Sequence, residues 1–193
     1  MKTKNIIIAI AIIVLVAILP AACLAESGYS INDARKFAIK FGVENELGYK
    51  DTLPIYSAPR LDAVRGANGK ASCHTSEGLD SAGWMGAWLM VRYEKNNGGY
   101  RVGWVPNTAL KSGRVEASRS VNFAYWPVTV AVDCALTDDP LLESDTLGYV
   151  SSGSTLTFLA TYQYRNGCEY AYVSSYLNGQ PVCGFIPMHA IDW

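Results

Sequence analysis

The hydrophobic pattern of this chain has two parts. Residues 6–19 form an unbroken apolar run near the N-terminus. Beyond residue 50, apolar residues come in short pieces that Gly, Pro, Asn and Asp residues separate. Such pieces are typical of short β-strands joined by turns. The pattern therefore predicts a leader followed by an all-β fold.

The leader has a charged start, an apolar centre and a small-residue end. Two lysines precede the apolar run of 14 residues, and small residues follow it through Ala25. This run is short for a membrane span of about 20 residues. We predict a secretory signal peptide over residues 1–25, cleaved after Ala25. Two alternatives are an uncleaved N-terminal anchor and lipid attachment at Cys23, because residues 19–23 loosely resemble a lipoprotein box.

Residues 26–50 contain a short helical pattern. Ala34, Phe37, Ala38 and Phe41 recur on one helical face, and Asn32 is a plausible N-cap. We predict a helix over residues 33–41 that packs as a lid on the next domain. The alternative is a contact with a partner or a membrane.

Two later stretches share one pattern. Residues 103–110 read Gly-Trp-Val-Pro-Asn-Thr-Ala-Leu, and residues 184–191 read Gly-Phe-Ile-Pro-Met-His-Ala-Ile. Proline ends each strand because it has no N–H to donate to the ladder. Pro59 and Pro140 are also 81 positions apart, as are the two Asn-Gly turns at 97–98 and 178–179. The single offset indicates an internal duplication.

The repeat predicts two small β units, over residues 51–115 and 116–193. Asn-Gly supplies the positive φ angles of a tight hairpin turn, so each turn should join two strands. The predicted strands are residues 71–75, 88–93 and 100–105 in the first unit, and 121–126, 128–133, 153–160, 170–173 and 182–186 in the second.

These motifs resemble the bacterial Src-homology-three-like (SH3b) family. The two closing stretches are similar to its Gly-aromatic-aliphatic-Pro signature, and residues 87–91 resemble its tryptophan-led strand. The resemblance implies two tandem small SH3-like barrels with a short N-terminal helix, used for binding cell-wall peptides or for targeting. Ala109 and Ala190 stand where the eukaryotic signature has a groove tyrosine, which disfavours a proline-rich ligand.

Charge and the few reactive residues narrow the function. Two of the 16 basic residues lie in the leader, so 14 basic and 17 acidic residues remain, a net charge of −3. Without a basic patch, a nucleic-acid partner is disfavoured. Cys73 and His74 are adjacent and should point to opposite faces of a strand, a poor arrangement for a nucleophile and its base. His189 lies in a turn, and we expect no enzymatic activity.

Cysteines and acidic residues have structural interpretations. Four cysteines follow the leader, and their split between the units allows at most one disulfide, in the second unit. Asp138, Asp139, Glu143 and Asp145 crowd one loop but lack the spacing of a calcium loop. We interpret them as a solvated acidic loop, and expect neither a metal nor a cofactor.

The aromatic residues are the best binding candidates. The chain has 12 Tyr and 5 Trp, whose side chains combine large contact area with a polar tip. We predict that the exposed ligand-binding side chains are Tyr56, Trp84, Trp88, Tyr162 and Tyr170. The sequence thus favours a secreted or cell-surface binding module for cell-wall peptidoglycan peptide or glycan. An extracellular protein–protein interaction or host-contact module is the alternative, with membrane attachment only through an uncleaved leader or lipidated Cys23.

Overall fold

The computed structural model describes residues 28–45, 51–74, 79–95, 99–111, 119–139, 146–164 and 167–193, with the backbone alone at 43–45. These residues form an all-β structure with one short helix and two 3-10 turns. The helix is α1 (Ile31–Ala34), and the strands are β1 (Val43–Asn45), β2 (Thr52–Pro54), β3 (Ser72–His74), β4 (Leu79–Met85), β5 (Trp88–Glu94), β6 (Tyr100–Pro106), β7 (Trp126–Val130), β8 (Cys134–Thr137), β9 (Thr146–Val150), β10 (Thr155–Gln163), β11 (Glu169–Leu177), β12 (Gln180–Pro187) and β13 (Ile191–Asp192). The predicted signal peptide lies outside the described residues. Within these ranges, no helix has the length and apolarity needed to cross a membrane.

The N-terminal helix is shorter and earlier than predicted. Helix α1 ends at Ala34, and its N-cap is Ser30, whose hydroxyl accepts from the backbone of Asp33 while the Asp33 carboxylate accepts from Ser30 in return. The prediction of a helix over residues 33–41 is wrong, because Ala38 makes a β-bridge to Thr161 of β10. Tertiary pairing therefore overrides the helical period of this segment.

The described strands form three sheets, and we call β1–β6 the first unit and β7–β13 the second unit. In the first unit, a four-stranded sheet has the order β1-β4-β5-β6, and β2 and β3 form a separate hairpin. In the second unit, a seven-stranded sheet has the order β13-β7-β10-β11-β12-β8-β9. The Asn178-Gly179 turn has φ angles of 51° and 80°, which confirms the predicted hairpin there. The other predicted Asn-Gly turn, at 97–98, lies outside the described residues, although the strands on either side of it do pair.

The predicted strand at 121–126 is wrong. Strand β7 begins only at Trp126, and the preceding residues run between the two units instead of joining one sheet. Strands β4 and β9 went unrecognised in the sequence, because Gly83 and Gly148 interrupt their apolar patterns.

The two units share an irregularity in equivalent strands. The register of β4 against β5 shifts between Ser81 and Gly83, and that of β10 against β11 shifts between Phe158 and Ala160. Such β-bulges bend and twist a strand. A bulge therefore occurs in the first strand of each three-stranded meander, β4-β5-β6 and β10-β11-β12.

The two units also share their closing geometry. Tyr56 makes a β-bridge to Trp104 in the first unit, and Thr137 pairs with Phe185 in the second. Thr137 lies 81 positions after Tyr56, and Phe185 lies 81 positions after Trp104. A 3-10 turn follows each closing strand, at Asn107–Ala109 and Met188–Ala190.

Glycine has the same use in both closing strands. A Cβ on Gly103 would lie 2.9 Å from the carbonyl oxygen of Tyr56, and a Cβ on Gly184 would lie 2.8 Å from that of Thr137. Only glycine permits the backbones to approach this closely. The glycine of the repeated motif is therefore a packing requirement.

A shared core joins the units. The indole Nε1 of Trp104 donates a hydrogen bond of 2.9 Å to the hydroxyl of Tyr172, and both side chains are buried. The core combines first-unit residues with second-unit residues and the segment between them: Met90, Val102, Trp104, Phe123, Leu159, Tyr162, Tyr170, Tyr172, Cys183 and Phe185 are among its members.

Each unit also receives a segment that precedes the other unit. Ala38, ahead of β1, makes a parallel bridge to Thr161 of β10, and Ser120, ahead of β7, makes a parallel bridge to Trp84 of β4. The exchange is reciprocal, so backbone hydrogen bonds as well as apolar contacts hold the units together.

The acidic loop is partly buried in this junction. Asp138 and Asp139 are 6% and 1% exposed, and Asp138 pairs with Arg101 of β6 at 3.2 Å. The interpretation of a solvated loop is therefore wrong for these two residues, because the first unit packs over them. Glu143 and Asp145 lie outside the described residues.

Candidate binding surface at the junction of the two units

The two tyrosine candidates in the second unit are buried. Tyr162 is 5% exposed and Tyr170 is 8% exposed, and both belong to the shared core. The expectation that they are exposed is wrong, because the first unit and the N-terminal segment cover the face that carries them. Phe41, for example, packs edge-on against Tyr162 with ring centroids 5.8 Å apart.

Tyr56 and Trp88 lie together on the surface of the first unit. Their rings meet edge to face at 5.3 Å, and both side chains are half-buried. Trp88 begins β5 and stands opposite Pro106, while the backbone of Tyr56 is bonded to that of Trp104 in both directions, at 3.0 and 2.7 Å. The guanidinium of Arg65 lies 5.2 Å from the centre of the Tyr56 ring. The pair is therefore held by β5 and by the backbone bridge from Tyr56 to β6.

Trp84 does not join this pair. It is half-buried and packs against the separate core of the first unit, with Leu53, Leu79 and Leu89. Successive side chains of a strand point to opposite faces, so Trp84 and its neighbour Met85 face different cores.

Two residues that sequence analysis missed extend the exposed pair. Met85 stands opposite Trp88 across the β4–β5 hairpin, and the hydroxyl of Tyr125 donates to the Met85 sulfur at 3.3 Å. Tyr125 is 60% exposed and has a φ of 56°, which is uncommon for a residue other than glycine. We call Tyr56, Met85, Trp88 and Tyr125 the aromatic strip. The sequence predicts Tyr125 inside a strand at 121–126, whereas in the structure it belongs to the irregular segment between the units.

A cleft of about 600 Å³ lies between the N-terminal segment and β10. Its lining is rich in polar side chains and tyrosines: Arg35, Ala38, Ile39, Lys40, Phe41, Arg92, Thr161, Tyr162, Gln163, Tyr164 and Glu169. Arg35 makes a two-pronged contact with Glu169, at 2.9 Å from Nε and 2.6 Å from Nη2. This hydrogen bonding lowers the pKa of Glu169.

Arg92 forms the inner wall of the cleft. It is bonded to Asp80, and its Nη1 donates to the Tyr162 hydroxyl at 3.0 Å. Its guanidinium also lies between the rings of Phe41 and Tyr100, at 5.1 and 5.0 Å from their centres. These contacts immobilise the charge.

The adjacent residues Cys73 and His74 have different environments. Cys73 is buried in β3, while His74 beside it is half-exposed, as alternation predicted. Burial raises the pKa of Cys183 to about 12, which makes its thiol a poor nucleophile. All four described cysteines are free thiols, and the described residues contain no group of three or more His, Cys, Asp or Glu side chains that could hold a metal.

Comparison with known proteins adds little to this geometry. No protein-family model matches the chain, and no curated protein matches it. A solved structure of NlpC2 from Trichomonas vaginalis is similar at 14% sequence identity and a TM-score of 0.30, over 80% of this chain and 49% of that one. The chain thus spans about half the length of that protein. The structure defines the chain as an all-β protein, and its function rests on the residues themselves.

Proposed function

We propose that this chain is an exported binding protein built from two tandem SH3-like units, which contacts cell-wall peptidoglycan peptide or glycan through the aromatic strip. The observation that carries the proposal is the edge-to-face pair of Tyr56 and Trp88, which is half-buried and held by β5 and by the Tyr56 bridge to β6. The leader pattern supports export.

The order of elements supports the SH3-like assignment. In the second unit, β7, β10, β11 and β12 lie side by side, and a 3-10 turn returns the chain to β13 beside β7. The hairpin of β8 and β9 attaches to the opposite edge, on β12. The first unit has the same order over β1, β4, β5 and β6, which favours two copies of one fold.

The aromatic strip suits an extended or cyclic polar ligand. Tyr and Trp rings offer apolar faces to the C–H groups of a peptide or sugar, and their polar atoms stay in water. The adjoining Arg65 supplies hydrogen-bond donors at one end. Because Trp88 lies in β5 and the Tyr56 backbone is bonded to β6, little conformational entropy is lost when they bind.

Sedimentation with purified peptidoglycan tests the proposal. The chain without residues 1–25 should co-sediment with intact peptidoglycan and remain in solution after muramidase digestion of the polymer. Trp88→Ala and Tyr125→Ala should each weaken binding by about tenfold, the usual effect of removing an aromatic anchor. Tyr149→Ala is the matched control, since Tyr149 is 77% exposed and lies outside the strip.

The exposed position of Tyr125 keeps the test independent of folding. If Trp88→Ala unfolds the chain, Tyr125→Ala still reports on the strip. Absence of sedimentation above the digested control would overturn the proposal. Saturable binding to a secreted protein without wall binding would replace it with the interaction-module alternative.

A further inference from the structure

We propose that the cleft between the N-terminal segment and β10 is a second ligand site, which binds an acidic saccharide. The site is distinct from the aromatic strip and does not depend on the function proposed for it. Its volume of about 600 Å³ lies within the range of about 300–1,000 Å³ that is usual for small-ligand sites.

The cleft and the strip occupy equivalent places in the two units. Thr161 of β10 and Trp84 of β4 make the two parallel bridges. The next residue along each strand is Tyr162, which lines the cleft, and Met85, which belongs to the aromatic strip. The cleft is therefore built from the end of β10 and the segment before β1, and the strip is built from the end of β4 and the segment before β7. The cleft also contains a charged group from the first unit, because Arg92 is among its lining residues.

Among the described residues, the charges of the cleft include one cation without an acidic partner. Arg35 pairs with Glu169, and Arg92 pairs with Asp80. Lys40 is exposed on the rim and has no ion pair among the described residues. The net charge of these five groups is therefore positive by one, which favours a ligand with a single negative charge.

The remaining groups favour a sugar ring over an apolar acid. Phe41 and Tyr164 are half-buried on the cleft wall, where ring faces can cover C–H groups. The Arg35–Glu169 pair holds a fixed donor and acceptor, and the exposed amide of Gln163 adds a further donor and acceptor for neighbouring hydroxyls. Aromatic faces, planar polar groups and one free ammonium together match a pyranose that carries a carboxylate.

Calorimetric titration of the chain without residues 1–25 tests this assignment. The probes are glucuronic acid, glucose and N-acetyl-alanine, which separate the sugar ring from the carboxylate. Glucuronic acid should bind with a millimolar or tighter dissociation constant, and should bind more tightly than either other probe. Binding should weaken with added salt, because the rim charge is exposed.

Variants locate the site. Lys40→Gln should weaken glucuronic acid binding by about fivefold, as expected for loss of one exposed ion pair. Lys36→Gln is the matched control, because Lys36 is exposed nearby but pairs with Asp33 outside the cleft. Both changes are on the surface and should leave the fold intact.

Three results would overturn the proposal. They are glucuronic acid binding no tighter than glucose, equal binding of N-acetyl-alanine, and an unchanged affinity in Lys40→Gln. None of these results bears on sedimentation with peptidoglycan or on Trp88→Ala, so the two proposals fail separately.

Discussion

Tyr172→Phe tests whether the two units form one cooperative structure. The substitution removes one hydroxyl and keeps the ring, so the volume of the shared core is unchanged. In the structure that hydroxyl accepts from the Trp104 indole at 2.9 Å and donates to the carbonyl oxygen of Ser57 at 3.3 Å. Tyr172 is 1% exposed and Trp104 is fully buried, so water cannot replace the lost partner.

The expected loss follows from the unsatisfied indole N–H. Leaving one buried donor without a partner costs about 1–3 kcal/mol. A chain of this size loses roughly 2–4 °C of melting temperature per kcal/mol, so the midpoint should fall by about 2–12 °C. Because Trp104 belongs to the first unit and Tyr172 to the second, the loss should appear in a single transition of the whole chain.

Urea unfolding, followed by tryptophan fluorescence and by circular dichroism, measures this loss. The two probes should give one coincident midpoint that moves without a change in slope. Tyr149→Phe is the control, since Tyr149 is 77% exposed and should change stability by less than about 0.5 kcal/mol. A similarly small effect of Tyr172→Phe, or two separate transitions, would refute the shared core.

Two further predictions concern buried positions. Gly103→Ala and Gly184→Ala should each lower the free energy of unfolding by about 1–3 kcal/mol, because each new Cβ would press on backbone atoms. Gly28→Ala is the control and should leave this free energy unchanged, because a Cβ there meets nothing within 4 Å. Equal effects of the three substitutions in urea titrations would contradict this reasoning. Burial raises the pKa of Cys183 from 9.0 to about 12, so the folded state holds this proton more tightly, and the stabilisation is complete below about pH 9 and is lost as pH rises towards 12. Unfolding titrations between pH 8 and 11 measure this loss of stability. In addition, iodoacetamide at neutral pH should modify the exposed Cys168 in the folded chain but should reach Cys183 only after unfolding. Rapid labelling of Cys183 in the folded chain would contradict its burial.

The repeat illustrates how far a sequence offset can be followed. The offset of 81 holds for the closing strands, their glycines and their 3-10 turns. It fails between residues 61 and 97 because the β4–β5 hairpin turns tightly at Met85 and Trp88, whereas β10 and β11 are longer and a wider loop joins them. The matching bulges become visible only once strand pairing is known.

The candidate site was only partly predictable. Tyr56 and Trp88 could be named because both are aromatic and lie in or beside short strands. Tyr162 and Tyr170 have equally favourable local sequences, yet they are buried. Exposure depends on what packs against a strand face, and no local pattern records that one small unit will cover the other.

Three features could be predicted from the sequence alone: the all-β class, the Asn178-Gly179 hairpin, and the strand ends at Pro106 and Pro187. These follow from local physics, namely side-chain alternation, the φ preferences of Asn and Gly, and the missing N–H of proline. Two other features depend on tertiary contacts: residues 37–39 pair with β10 instead of forming a helix, and Asp138 is buried. Both features involve strands that are distant in the sequence. The backbone of residues 37–39 bonds to Thr161, and Asp138 pairs with Arg101, because packing of the two units brings these groups together.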